Sequence, residues 1–110
     1  MTTTKLAESQ CLPCEGKIPK LDDATIEGLM TQLRGWGLHD GRLRRTIEFK
    51  DFAHALLFVN AVGHVAEREN HHPDFRLHQW NKVSFEIYTH DIEGLSQNDF
   101  ILAAKIDALL

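Results

Sequence analysis

The sequence predicts an α+β domain: a four-stranded antiparallel sheet with three helices packed on one of its faces. Three observations carry that expectation. Three stretches place apolar residues at helical spacing, two pairs of alternating segments are joined by short turns, and the two signals run helix, hairpin, helix, hairpin, helix. Hairpins impose antiparallel pairing, and three helices can economically shield one face of four strands.

The elements follow in order. Residues 1–20 are read as an extended N-terminal arm, because Pro13, Gly16 and Pro19 keep it extended or turning, and this places it outside the core. A single domain then spans residues 21–110. Asp22 is the N-cap of the first helix, Asp22–Arg34, with Leu21 and Ile26 placed as a hydrophobic staple. Ile26, Leu29, Met30 and Leu33 form its buried stripe, and Gly35 ends it. Asp40-Gly41 is the dipeptide of a type I′ turn and joins Trp36–Leu38 to a strand in which Leu43, Arg45, Ile47 and Phe49 share a face.

Asp51 caps a long second helix that ends by His72, since Pro73 disfavours helical backbone in the residue before it. Phe52, Leu56, Val59, Gly63 and Ala66 line one face, widened by Ala55 and Val62, with Phe58 and Val65 further round. So broad an apolar surface calls for cover on more than one side. Phe75–Gln79 and Lys82–Thr89 form the second hairpin across Trp80-Asn81. Ser96 caps the third helix, with Asp99 in the capping-box position and Leu95 stapled to Phe100.

Composition narrows the function. A net charge of −4 offers no basic footprint, which argues against direct nucleic-acid binding. No apolar run approaches the length of a membrane span, and MTTTKLAESQ lacks a secretory apolar core, so a cytoplasmic location is expected. Cys11 and Cys14 stand as CLPC. No strand precedes them as in a thioredoxin-type pair, and no second CxxC completes a zinc site. A reduced, partly exposed pair remains, with zinc shared between these cysteines and histidines as a weaker alternative.

Seven histidines are many for 110 residues. His39 and His78 read as solvated, and His54 and His64 as structural residues of the long helix. His71 and His72 sit where that helix meets Pro73, and His90 lies at the end of a strand. Adjacent histidines rarely share one metal ion, and no HxH, HxxxH or HExxH spacing accompanies them. Two readings stay open: proton exchange near neutral pH at the rim of a cleft, or ordinary capping and surface roles.

Spacing goes further than local chemistry. The string E-x3-HHP-x6-W-x9-H-x8-D, formed by Glu67, His71, His72, Pro73, Trp80, His90 and Asp99, resembles the signature of the pterin-4a-carbinolamine dehydratase family. NKVSFEIYTH, the GLS after it, Gly35-Trp36 and Lys50–Phe52 resemble that family too, and together they cover about Leu21 to Leu109. The resemblance implies the α-β-β-α-β-β-α fold derived above. It also implies loss of water from a 4a-hydroxytetrahydropterin left by an aromatic amino acid hydroxylase, with no metal or organic cofactor.

By position, His71 and His90 would exchange protons and His72 would bind and orient the pterin. Pro73 would stop the helix so that the histidines project. Glu67, four residues before His71, would contact that imidazole. Asp99 reads as a capping carboxylate, a member of the site's network, or both. Trp80 reads as a core aromatic or a pterin contact. Phe75 falls where many relatives carry tryptophan and would keep an aromatic wall. Animal relatives also serve as dimerisation cofactors of a homeodomain transcription factor, so a non-catalytic module is the alternative, and a homodimer or homotetramer is expected.

Overall fold

The structure is a computed structural model, and it describes residues 6–12 and 18–110. Cys14 therefore lies outside the described residues. Helices α1 (Asp23–Met30), α2 (Phe52–Glu69) and α3 (Gln97–Ala108) alternate with strands β1 (Gly37–His39), β2 (Arg42–Glu48), β3 (Asp74–His78) and β4 (Lys82–Ile87). All neighbours are antiparallel, in the order β1-β2-β4-β3. The predicted α+β class and its order of elements hold.

Strand alternation builds the two faces of the sheet. Leu43, Ile47, Val83, Phe85 and Ile87 are buried under the helices, whereas Arg44, Thr46 and Glu48 between them are exposed. Asp40 and Gly41 both take positive φ (52° and 73°) between the paired His39 and Arg42, as a type I′ turn requires. The Asp22 carboxylate accepts from the Thr25 N–H at 2.8 Å and caps α1. That helix is shorter than expected: beyond Met30 the chain tightens into i→i−3 bonds through Leu33.

Two expectations fail instructively. Of the N-terminal segment, residues 6–12 are not outside the core. Leu6 is 4% exposed and joins the central cluster, and the short helical turn Leu6–Glu8 packs on α3. The Asn98 side chain holds Leu12 at both ends, accepting from its N–H at 2.8 Å and donating to its carbonyl at 2.7 Å. Glu69 accepts from the Cys11 N–H at 2.8 Å. A lone apolar anchor among polar residues carries no periodicity, so the docking was invisible to pattern.

The second concerns α2, whose buried stripe is Ala55, Phe58, Val62, Val65 and Ala66. Phe58 sets that rotation by packing against Phe49 and Phe85, with ring centroids 5.0 and 6.0 Å apart. Phe52, Leu56 and Leu57 are left on the outer side, 52%, 46% and 63% exposed in the single chain. Among the described residues, no helix is long and apolar enough to cross a membrane.

Candidate active site

The end of α2 positions the first two histidines. Asn70 adopts the left-handed conformation (φ 52°, ψ 39°). Its N–H bonds the Glu67 carbonyl at 3.2 Å, and the His71 N–H reaches back to Ala66 at 3.1 Å. These paired bonds make a Schellman motif, in which asparagine is the commonest substitute for glycine. The helix thus stops at Asn70, before Pro73 can act, which corrects the role expected of the proline. The half-buried Pro73 leads from the histidines into β3.

That reversal also changes which carboxylate meets which imidazole. His71 is buried, and its Nε2 stands 2.6 Å from Asp99 Oδ1. Because a carboxylate only accepts, Nε2 carries the hydrogen of this bond. Glu67 instead bonds His72 Nε2, at 2.9 Å on the surface. The expected Glu67–His71 contact assumed that the helix continued to His71, and the left-handed Asn70 breaks that spacing.

Asp99 is fully buried and serves two structures at once. Oδ1 holds His71, while Oδ2 accepts from the Ser96 N–H at 2.8 Å, closing the cap of α3, and from the Thr89 hydroxyl at 2.7 Å. Asp99 therefore closes the capping box as read, and it also holds the imidazole of His71. Thr89 was missed, though the alternation that buries Ile87 places Thr89 on the same side, where a hydroxyl needs a partner.

Beyond β4, Thr89 bridges to Gly94 and encloses the turn His90–Ile92, which puts His90 at the surface. His71, His72 and His90 line a single open cleft of about 230 Å³ together with Asn70, Tyr88, Thr89 and Asp91. A larger groove of about 570 Å³ lies between α1 and the β1–β2 turn, but it contains no histidine, so the chemistry favours the smaller cleft. Tyr88, directly after β4, and Asp91, in the turn beyond it, carried no signal for the cleft.

Trp80 is not brought to the cleft. It is 62% exposed at the β3–β4 turn, with φ 61°, and the length of β4, about 20 Å, separates it from His90. Phe75 leans on Phe85, with ring centroids 6.4 Å apart, and does not line the cleft. His54 bonds the α2 cap Asp51 at 2.7 Å, and His78 bonds Ser84 at 2.7 Å, in structural roles. Among the described residues, no three His, Cys, Asp or Glu side chains are grouped to hold one metal ion.

Three imidazoles thus meet around one cleft of an α+β scaffold. Residues 19–109 match the family model described as pterin 4 alpha carbinolamine dehydratase. A protein of Rubrobacter xylanophilus is 45% identical, over 96% of this chain and 99% of its own length. One of Nitrosomonas eutropha is 48% identical, over 96% and 93%. Both bear the name "Putative pterin-4-alpha-carbinolamine dehydratase". The crystal structure of a transcriptional coactivator/pterin dehydratase from Brucella melitensis superimposes with a TM-score of 0.78 at 28% identity, over 83% of this chain and 98% of that one. The chain belongs to the pterin-4a-carbinolamine dehydratase family, and it is an enzyme of the hydro-lyase class.

Proposed function

We propose that this protein dehydrates 4a-hydroxytetrahydropterin to the quinonoid dihydropterin, with its histidines as general acid and base. The observation that carries the reading is the meeting of His71, His72 and His90 on one cleft, with His71 fixed by buried Asp99.

The chemistry suits these residues. The reacting carbon bears both a hydroxyl and a ring nitrogen. As the C–O bond breaks, a general acid protonates the departing hydroxyl, which leaves as water, while the nitrogen lone pair forms the C=N bond. A base removes a ring N–H proton, so the product is neutral and no net proton is consumed. His71 and His90 supply the acid and the base, and each positioned group is worth on the order of 10²–10⁴ in rate. His72, tied to Glu67 at the rim, binds and orients the pterin.

The reaction so written uses no metal or organic cofactor and recycles the pterin of an aromatic amino acid hydroxylase. The exposed strip Phe52, Leu56 and Leu57 supports self-association into a homodimer or homotetramer. The same strip, with the coactivator name of the Brucella melitensis protein, supports a second reading: a dimerisation module for a transcription factor.

The test is direct. The 4a-carbinolamine is generated with a hydroxylase and its dehydration followed by ultraviolet absorbance for wild type, His71→Ala and His90→Ala. Wild type should accelerate the reaction, and each variant should lose roughly 10²-fold or more. A wild type with no effect, or a double variant at full rate, would overturn the assignment. Elemental analysis showing stoichiometric zinc would overturn the metal-free mechanism.

A further inference from the structure

The three histidines of the cleft are not held alike. His71 has Asp99 and His72 has Glu67. Among the described residues, no hydrogen bond restrains the His90 imidazole; its neighbour is the Tyr88 ring, edge-to-face at 5.1 Å between centroids and 84° between planes. His90 is exposed in a short turn, where an unrestrained side chain would spread over several rotamers.

Tyr88 is itself clamped. The Arg42 guanidinium carbon lies 4.4 Å from the centroid of the Tyr88 ring. Arg42 in turn donates to Glu86 Oε1 at 2.8 Å, and Arg44 Nε donates to the other oxygen of Glu86. The alternation of the strands puts these groups on one face: Arg44 pairs with Glu86, Arg42 stands two residues before Arg44, and Tyr88 stands two residues after Glu86, just past the end of β4. The relay runs from a fixed ion pair to a guanidinium, to an aromatic ring, to an imidazole at the mouth of the cleft.

We propose that Tyr88 is a positioning residue for His90, and that Arg42 and Glu86 hold Tyr88 in that task. The proposal rests on the dehydratase reading for its kinetic consequence, but the contact itself does not. The ring is the working part, since the phenolic oxygen has no hydrogen-bond partner among the described residues. Tyr88 also walls the cleft, and a wall that only bound substrate would act on KM. A group that orients His90 acts on kcat.

Steady-state dehydration is measured for wild type, Tyr88→Phe, Tyr88→Leu, Tyr88→Ala and Arg42→Met. The ring-proton resonances of the histidines are recorded by nuclear magnetic resonance without substrate, with His90→Ala identifying the His90 signal. Tyr88→Phe should keep kcat within about two-fold of wild type. Tyr88→Leu and Tyr88→Ala should lower kcat roughly three- to ten-fold with a smaller change in KM, and Arg42→Met should fall between. The His90 resonance should stay in place in Tyr88→Phe and move in Tyr88→Leu, where an aliphatic side chain preserves bulk but not ring current. The proposal is overturned if Tyr88→Leu keeps both kcat and the His90 resonance, if the loss lies wholly in KM, or if Tyr88→Phe is as damaged as Tyr88→Ala. A wild type without dehydratase activity would sink the proposed function alone, because the resonance comparison needs no turnover.

Discussion

His71 Nε2 and Asp99 Oδ1 stand 2.6 Å apart in the interior, between the residue after the α2 cap and the third residue of α3. The bond joins two segments that are 28 positions apart in the chain. It makes one carboxylate responsible both for orienting an imidazole and for closing a helix.

Removing either partner strands the other in a buried setting. Asp99→Ala is expected to lower the unfolding free energy by about 3 kcal/mol, since it also releases the Ser96 N–H and the Thr89 hydroxyl. With His71→Ala, the double variant should lose less than the sum of the singles, by about 1 kcal/mol or more. Denaturant titration at fixed protein concentration measures this. Strict additivity would contradict a direct bond.

Asn70 should tolerate glycine and resist branched residues, because its φ is 52°. Asn70→Gly is expected to remain as active and nearly as stable as wild type. Asn70→Val should cost about 1–2 kcal/mol and lower kcat, since the bond from the His71 N–H to Ala66 fixes where that imidazole starts. Thermal melting and the absorbance assay read the two effects separately.

Glu86 supplies a pH signature. Its hydrogen bond from Arg42, and then that from Arg44, hold its carboxyl below the ordinary range against the opposing effect of partial burial. A depressed native pKa means that the stabilisation is complete above the unfolded value near 4.5 and is lost as pH falls through the lower native value. The gap in melting temperature between wild type and Glu86→Gln should therefore be constant at neutral pH and shrink on acidification below about pH 4.5. A gap that widened with acid would contradict the ion pair.

The N-terminal strap should behave as part of the domain. Leu6→Ala is expected to cost about 2–3 kcal/mol, as for any buried leucine. Asn98→Ala, which removes both bonds to Leu12, should raise amide exchange across residues 6–12 well before the sheet exchanges. Deuterium uptake resolved by peptide would show it.

The outer strip of α2 gives the last prediction. Leu56→Glu with Leu57→Glu should leave the fold intact, since both side chains are exposed in the single chain. If copies associate through this strip, the pair should shift sedimentation to a smaller species. An unchanged assembly would place the interface elsewhere.

What the sequence disclosed was mostly what a few neighbouring residues decide among themselves. Asp40-Gly41, the Asp22 and Asp51 caps and the Ser96–Asp99 box each depend on contacts within four positions, and all formed as read. The rotation of α2 did not, because its apolar residues run most of the way round and only Phe58 meeting Phe49 and Phe85 selects a face. Glu67 was assigned to His71 rather than to His72 because a single left-handed residue redirects everything after it. Asparagine is the residue that most often replaces glycine in that conformation, whereas the expected helix end rested on Pro73 alone. The cleft's membership was legible through spacing for the histidines, and illegible for Tyr88 and Asp91, which arrive by tertiary placement.

The double duty of Asp99 bears on how related sequences are to be read. A descendant of this fold that abandoned chemistry would still need the carboxylate to begin its last helix, so drift would spare Asp99 while the exposed His72 and His90 were free to change. An aspartate at that position therefore testifies to ancestry rather than to turnover. On the proposed mechanism the surface histidines, which close no helix and sit outside the core, are the better sign that a relative still works as an enzyme.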